Sequence, residues 1–201
     1  NKVMLFTNRT FELLSELEED GKYSFYKEYE DDFQKHLVLP FRRLVIEGVI
    51  PLLHKNKKIM DLMETKNRIF GQINKNDFGR GGANPFYWGA IYPKRSANKQ
   101  KDAQLLTFIN SDYLEFGFFF GWQTNDEHKE QLMNNCGRVC QSKDFNSFVR
   151  VMENRLPGKK LIYRDFTYPK ENFEVSEIGS LSSTEYIFDW KSFFQEYEPI
   201  N

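Results

Sequence analysis

Apolar positions recur at helical spacing at the start of the chain and at strand spacing in its middle. Phe11, Leu14 and Leu17 sit three residues apart behind a Thr7/Asn8 start, and Gly21 follows, which predicts a first helix over Thr7 to Asp20. The same period runs from Tyr23 to Val45 through Tyr26, Tyr29, Phe33, Leu37, Phe41 and Leu44. Pro40 inside it predicts a kink or a restart. Ile50 to Met63 begins at Pro51, carries Lys55, Lys57 and Lys58, and reads as a turn or short helix.

The period then shortens. Arg68 to Ile73, Phe86 to Tyr92, Ala103 to Asn110 and Leu114 to Gly121 are short, rich in aromatic and branched residues and separated by turn formers, so they are predicted strands. Asn110-Ser-Asp-Tyr113 suits a hairpin between the last two. Alternation places Phe86, Trp88, Ala90 and Tyr92 on one face of their strand and Tyr87, Gly89 and Ile91 on the other, with one of these faces expected in the core. Helical spacing returns over Thr124 to Cys140 and Ser142 to Arg155. Strand-like pieces at Lys160 to Tyr163 and Tyr186 to Phe188 and a helix over Asp189 to Tyr197 are expected in the tail. The prediction is an α+β fold, an antiparallel central sheet flanked by N-terminal and C-terminal helices, as a single domain over residues 1–201. The chain opens on Asn1, so we expect an N-terminal fragment of a longer protein.

Charge changes this picture in two places. The net charge is -1, yet residues 66–101 hold eight Lys or Arg against one acid, Asp77. Conversely, nine acids against three Lys between Phe11 and Lys35 mark a solvated helical face, or alternatively an acidic docking surface. An overall pI near 6.4 means that any nucleic-acid contact is local. Aromatics reach 16 %, and most of the Phe, including Phe116 and Phe118 to Phe120, read as packing.

Several chemistries lack their residues. Cys136 and Cys140 alone make neither a disulfide framework nor a zinc site, and His36, His54 and His128 fall in no metal-ligand spacing, so no metal and no cofactor are expected. No apolar run is long enough to span a bilayer and no signal-peptide pattern opens the chain, so a cytoplasmic location and no membrane partner are expected. There is no Gly-x-x-x-x-Gly-Lys-Ser/Thr loop and no dinucleotide fingerprint. No catalytic residues are assigned: Asp112 and Glu115 beside Lys101 lack the nuclease pattern of Asp followed by Glu-x-Lys. The chain is therefore expected not to be an enzyme, with an unrecognised hydrolase site as a remaining alternative.

The basic stretch offers another chemistry. Gly79, Gly81 and Gly82 give a backbone able to approach an anion, with Arg80 at the tip. Lys75, Arg80, Lys94, Arg95, Lys99 and Lys101 are candidate DNA-phosphate contacts. Trp88 or Tyr87, with Asn76, Asp77 and Asn84, are candidates for recognising a base. The competing reading is a solvated glycine-rich hairpin and a core Trp.

The run Ile69-Phe-Gly-Gln-Ile-Asn-Lys-Asn-Asp-Phe-Gly-Arg-Gly-Gly-Ala-Asn-Pro-Phe-Tyr-Trp-Gly-Ala-Ile-Tyr-Pro-Lys94, with Asp102-Ala-Gln-Leu-Leu106 and Leu114-Glu-Phe-Gly-Phe-Phe-Phe-Gly121, resembles the N-terminal region of certain McrB-like proteins, AAA+ motor subunits of modification-dependent restriction systems. It is also similar to a wider set of bacterial domains in which an Arg-Ile-x-x-Asp strand precedes a Lys-x-Pro-Tyr-Lys loop. Here Gln72 stands for the Asp, Ala83 and Tyr87 stand for the two Lys, and the Gly79-Arg-Gly-Gly82 loop is this chain's own. The overlap covers roughly residues 10 to 140. The resemblance implies a specificity domain that binds double-stranded DNA, methylated or not, with an AAA+ motor domain in cis and a nuclease subunit in trans. The alternative from another class is a protein-interaction or assembly module.

Overall fold

Thr10 organises the first packing contact of the chain. Helix α1 (Asn8–Asp20) starts after Thr7, and the fully buried Thr10 hydroxyl accepts the Thr7 N–H at 3.0 Å while donating to the His36 carbonyl at 2.6 Å. Leu13, Leu14 and Leu17 form the buried stripe of α1. Gly21, at φ 67°, ends it with an N–H to the Leu17 carbonyl. In the computed structural model the described residues are 5–66, 68–96, 98–112 and 114–120, and beyond them 125–128, 130, 131, 143, 144, 147, 163, 164, 175 and 176.

The predicted second helix is longer than its sequence pattern suggests. Helices α2 (Tyr23–Glu28) and α3 (Glu30–Phe33) meet at a turn at Tyr29. A π-helical segment (Gln34–Val38), α4 (Leu39–Arg43), a second π-helical segment (Leu44–Val49) and α5 (Ile50–Leu53) then follow without an intervening loop. Pro40 and Pro51 therefore neither restart nor end the helical run. Each proline follows a π segment, where the i→i+5 pattern absorbs an extra residue and relaxes the clash that proline makes in an α-helix. In an α-helix the His36 carbonyl would await an N–H from residue 40, and Pro40 has none. Thr10 supplies the hydroxyl instead. We refer to the run Tyr23–Leu53 as the rod. After α6 (Lys57–Met60) the chain enters a sheet.

The sheet is an antiparallel meander of β1 (Met63–Glu64), β2 (Phe86–Pro93), β3 (Ala103–Asn110) and β4 (Leu114–Phe120), in that order. The fold of the described residues is thus α+β, with helices preceding an antiparallel sheet. Register pairs Tyr87 with Ile109 and Ile109 with Leu114. The β3–β4 turn is closed by the Asp112 N–H on the Asn110 side chain at 2.9 Å. The expected strand over Arg68 to Ile73 is not a continuous strand. That segment runs along the same edge of β2 as β1 and bonds to it through the Gly71 N–H to the Trp88 carbonyl and the Ala90 N–H to the Ile69 carbonyl, both 2.8 Å. Arg68, at φ 58°, interrupts the edge, because a left-handed residue cannot continue a pleated ladder.

The chain divides into two compact units, the first including Asn1–Thr124 and the second Asn125–Tyr197. In the second, residues 126–128, 130, 131, 143, 144 and 147 are helical, and β5 (Tyr163–Arg164) pairs antiparallel with β6 (Val175–Ser176). The expected elements at Tyr186 to Phe188 and Asp189 to Tyr197, and both cysteines, lie outside the described residues. No helix among the described residues is long and apolar enough to cross a membrane.

Thr10→Val should lower stability to urea by about 1–2 kcal/mol, since it leaves two part-buried backbone groups without their partner, while Thr10→Ser should recover most of the loss. Equal stability of the Val variant and wild type would remove Thr10 from this role.

Candidate nucleic-acid interface

One face of β2 is closed by the rod. Tyr87 is 2 % exposed, its ring T-shaped on Phe41 at 5.1 Å and stacked parallel to Phe70 at 6.4 Å. Arg42 lies one residue beyond Phe41. Its Nε donates to the Tyr87 hydroxyl at 3.0 Å, and its guanidinium lies 5.1 Å from the centre of the Phe70 ring. Nearby on the rod, the Gln34 amide donates to the Tyr26 hydroxyl at 3.1 Å. Tyr26, Gln34, Arg42 and Tyr87 line a cavity of about 280 Å³ together with Tyr23 and Asn74. Each phenol accepts one hydrogen bond from its partner and keeps its own proton for another acceptor. The space suits one small ring system and is below the ~300–1,000 Å³ typical of pockets for drug-sized ligands.

The other face of β2 carries Trp88. Its indole lies directly over Gly71, where a Cβ would come within 2.3 Å of the ring nitrogen. Lys99 Nζ stands 4.9 Å from the Trp88 ring centre and donates to the carbonyls of Arg68 at 2.6 Å and Phe70 at 2.7 Å. Burial lowers the Lys99 pKa, and the ammonium is occupied in closing the broken strand edge. Trp88 and Tyr87 thus face opposite sides of the sheet and do not act as one platform.

Apart from Lys99, the basic candidates form two groups rather than one. Lys75 and Arg80 belong to the loop before β2, whereas Lys94, Arg95 and Lys101 lie beyond its other end, about 24 Å away at 3.4 Å per strand residue. In the second group Lys94 Nζ donates to the Asp61 carbonyl at 3.0 Å. Arg95 reaches the buried Asp102 carboxylate at 3.4 Å, and Ser96 and the Ala103 N–H also donate to that carboxylate. Lys101 is exposed. In the first group, Lys75 and Arg80 are both exposed and pair with no carboxylate among the described residues.

The loop is built around Asp77. Its carboxylate accepts the Arg80 N–H at 3.0 Å and the Gly82 N–H at 2.9 Å, and the Lys75 N–H closes on the Gly82 carbonyl at 3.0 Å. The glycine-rich backbone expected to cradle an external anion therefore already holds an internal one, and Asp77 shapes the loop. Asn84 is likewise engaged, its Nδ2 donating to the Gln72 carbonyl at 3.1 Å, while Asn76 is exposed. Two observations join loop and cavity. Tyr23, which lines the cavity, donates its N–H to the Gly81 carbonyl at 2.8 Å, and Asn74, also lining it, bridges to Ala83. Pattern reading missed Tyr23, Tyr26, Gln34 and Arg42 because each fits an ordinary amphipathic helix.

No family model matches this chain, and neither do curated proteins or solved structures. Among the described residues no group of three His, Cys, Asp or Glu could hold a metal ion.

Gly71→Ala should destabilise the protein by about 1–3 kcal/mol in thermal or urea unfolding, because the added methyl must displace the Trp88 indole; an unchanged midpoint would show that the indole moves freely. Burial raises the Tyr87 phenol above its ordinary value of 10.0, against the opposing pull of Arg42. The neutral form is the one favoured in the fold. Its stabilising contribution is complete below that ordinary value and is lost as the pH rises through the raised folded value. An ultraviolet tyrosinate titration should show late-ionising phenols, one fewer in Tyr87→Phe; an unchanged late phase in that variant would contradict the assignment.

Proposed function

We propose that the chain is a non-catalytic DNA-recognition domain in which the Asp77-braced loop grips phosphates and the cavity beside it receives a single base. The observation that carries this reading is the junction at Tyr23, one residue that both lines the cavity and bonds to the loop at Gly81. Lys75 and Arg80 supply exposed positive charge on the loop joined to the cavity, where a polyanion's backbone would lie. The phenols of Tyr26 and Tyr87 and the Arg42 edge offer donors matched to the ring acceptors of a pyrimidine. Tyr23 and Tyr26, stacked on each other with ring centroids 5.4 Å apart, offer one aromatic wall against which a base could lie. Trp88, packed over Gly71 and beneath Lys99, contributes to the scaffold in this reading. The resemblance to McrB-like N-terminal regions supports the same assignment, with a motor domain in cis and a nuclease subunit in trans as the partners it implies.

A second reading, a protein-docking module, draws on the rod, where Leu39, Ile46 and Leu52 are each more than half exposed. The acidic face supports it less, because Arg9 is already bonded to Glu16 and Asp32. Reversal of charge at Glu18 and Glu19 separates the two, since DNA binding should survive it.

Labelled duplexes, unmodified or carrying 5-methylcytosine or 5-hydroxymethylcytosine, should bind with an affinity that falls as salt rises. Arg80→Ala should weaken all of them alike and lower the salt slope by about one. Tyr26→Phe should weaken binding to all three duplexes, since the hydroxyl it removes serves ring acceptors that the three cytosines share; unchanged affinity in that variant would take Tyr26 out of the site. Absence of binding at low salt would overturn the proposal in favour of a protein partner.

A further inference from the structure

The most exposed large apolar side chain described is Phe78, at 98 %, on the tip of the Asp77 loop. Its backbone is also unusual, with φ 61°, a left-handed conformation disfavoured for any residue with a bulky side chain. Glycine would meet the conformational demand at this position, and a polar side chain would meet the solvent. A phenyl ring satisfies neither, so folding alone does not account for it. The loop beneath the ring is stiff. Asp77 holds the N–H groups of Arg80 and Gly82, Lys75 closes on Gly82, and Tyr23 ties Gly81 to the rod. A ring is thereby presented on a braced loop that also carries the exposed Lys75 and Arg80, three residues before it and two after.

We propose that Phe78 is a wedge that enters the base stack of duplex DNA and fills the space vacated by the base drawn toward the cavity. The assignment rests on the DNA-recognition reading above. A base leaves the stack at the cost of unstacking and unpairing, and an apolar side chain inserted in its place offsets part of that cost. The loop meets each requirement: an exposed apolar flat group, two exposed cations on the same loop for neighbouring phosphates, and a receiving cavity joined to the loop at Tyr23. A lipid surface would also accept a ring on a cationic loop, but it has no use for the cavity's hydrogen-bond donors, so duplex DNA is the better fit.

The test compares wild type with Phe78→Ala, Phe78→Leu and Arg80→Ala. The probes are an intact duplex with 2-aminopurine beside the target cytosine and the same duplex with an abasic site in place of that cytosine. Phe78→Ala removes no packing, so its fold should be unaffected, which circular dichroism checks. The expected result is a loss of about tenfold or more in affinity for the intact duplex, little change for the abasic one, and partial recovery with Phe78→Leu. The 2-aminopurine fluorescence should rise with wild type and not with Phe78→Ala. If Phe78→Ala binds and brightens the intact duplex like wild type while Arg80→Ala is weakened, the wedge is overturned and DNA recognition stands. If wild type binds no duplex, both fall. Binding of wild type to anionic phospholipid vesicles, lost in Phe78→Ala, would then make the ring a membrane contact.

Discussion

The seating of Phe41 on the sheet sets the position of everything around it. Phe41 is fully buried against Tyr87 and Phe70, beside the bare backbone of β2 at Gly89. A Cβ there would meet Phe41 in ordinary contact at 3.6 Å but would stand 3.2 Å from Phe70, whose ring would have to give way. With the rod pressed this close, Arg42 lands on the Tyr87 hydroxyl and covers Phe70. Gln34, two turns earlier, and Tyr26, to which it is bonded, are carried to the rim of the same cavity. The polar geometry of the cavity is thus a by-product of an apolar fit between helix and sheet.

The loop shows a different economy. A carboxylate that sequence reading offered to a base turns inward and takes the backbone N–H groups that the glycines expose. Internal satisfaction of those donors makes the loop self-supporting and leaves its outward chemistry to side chains alone. Charge attraction and shape are consequently separable properties here. Lys75 and Arg80 carry the first, and Asp77 with Gly82 carries the second, since a Cβ at Gly82 would meet the Asp77 carboxylate at 2.5 Å.

Much of the sheet was legible in the sequence, because alternation along Phe86 to Tyr92 and the Asn110 turn both report strictly local geometry. The division of β2 into a rod-facing row with Tyr87 and Gly89 and an opposite row with Trp88 follows from period two alone. What was not legible depends on distant partners. The prolines read as breaks because proline's local penalty is visible, while the π segments and the Thr10 hydroxyl that accommodate Pro40 are not. The basic window read as one surface because sequence distance hides the length of β2, which carries its two groups apart. Lys99 read as a phosphate contact for the same reason: the carbonyls it serves, at Arg68 and Phe70, are some thirty residues upstream. Phe78 left a faint signal, a ring among turn formers with no periodic partner.

The two π segments have a consequence for how this sequence tolerates change in length. An i→i+5 turn holds one residue more than an α-turn, so each segment stores an offset of about 100° in the direction of every side chain after it. Deleting a single residue between Gln34 and Val38 would let that turn close as a regular α-turn with Phe41 and Arg42 still facing the sheet, whereas the same deletion in an α-helical turn of the rod would rotate every later side chain by about 100°. The π segments are therefore the places where the rod can lose a residue and keep its face, provided that the proline each one accommodates is lost as well. Homologues one residue shorter at Gln34–Val38, with no proline at position 40, would share the cavity as well as the helix.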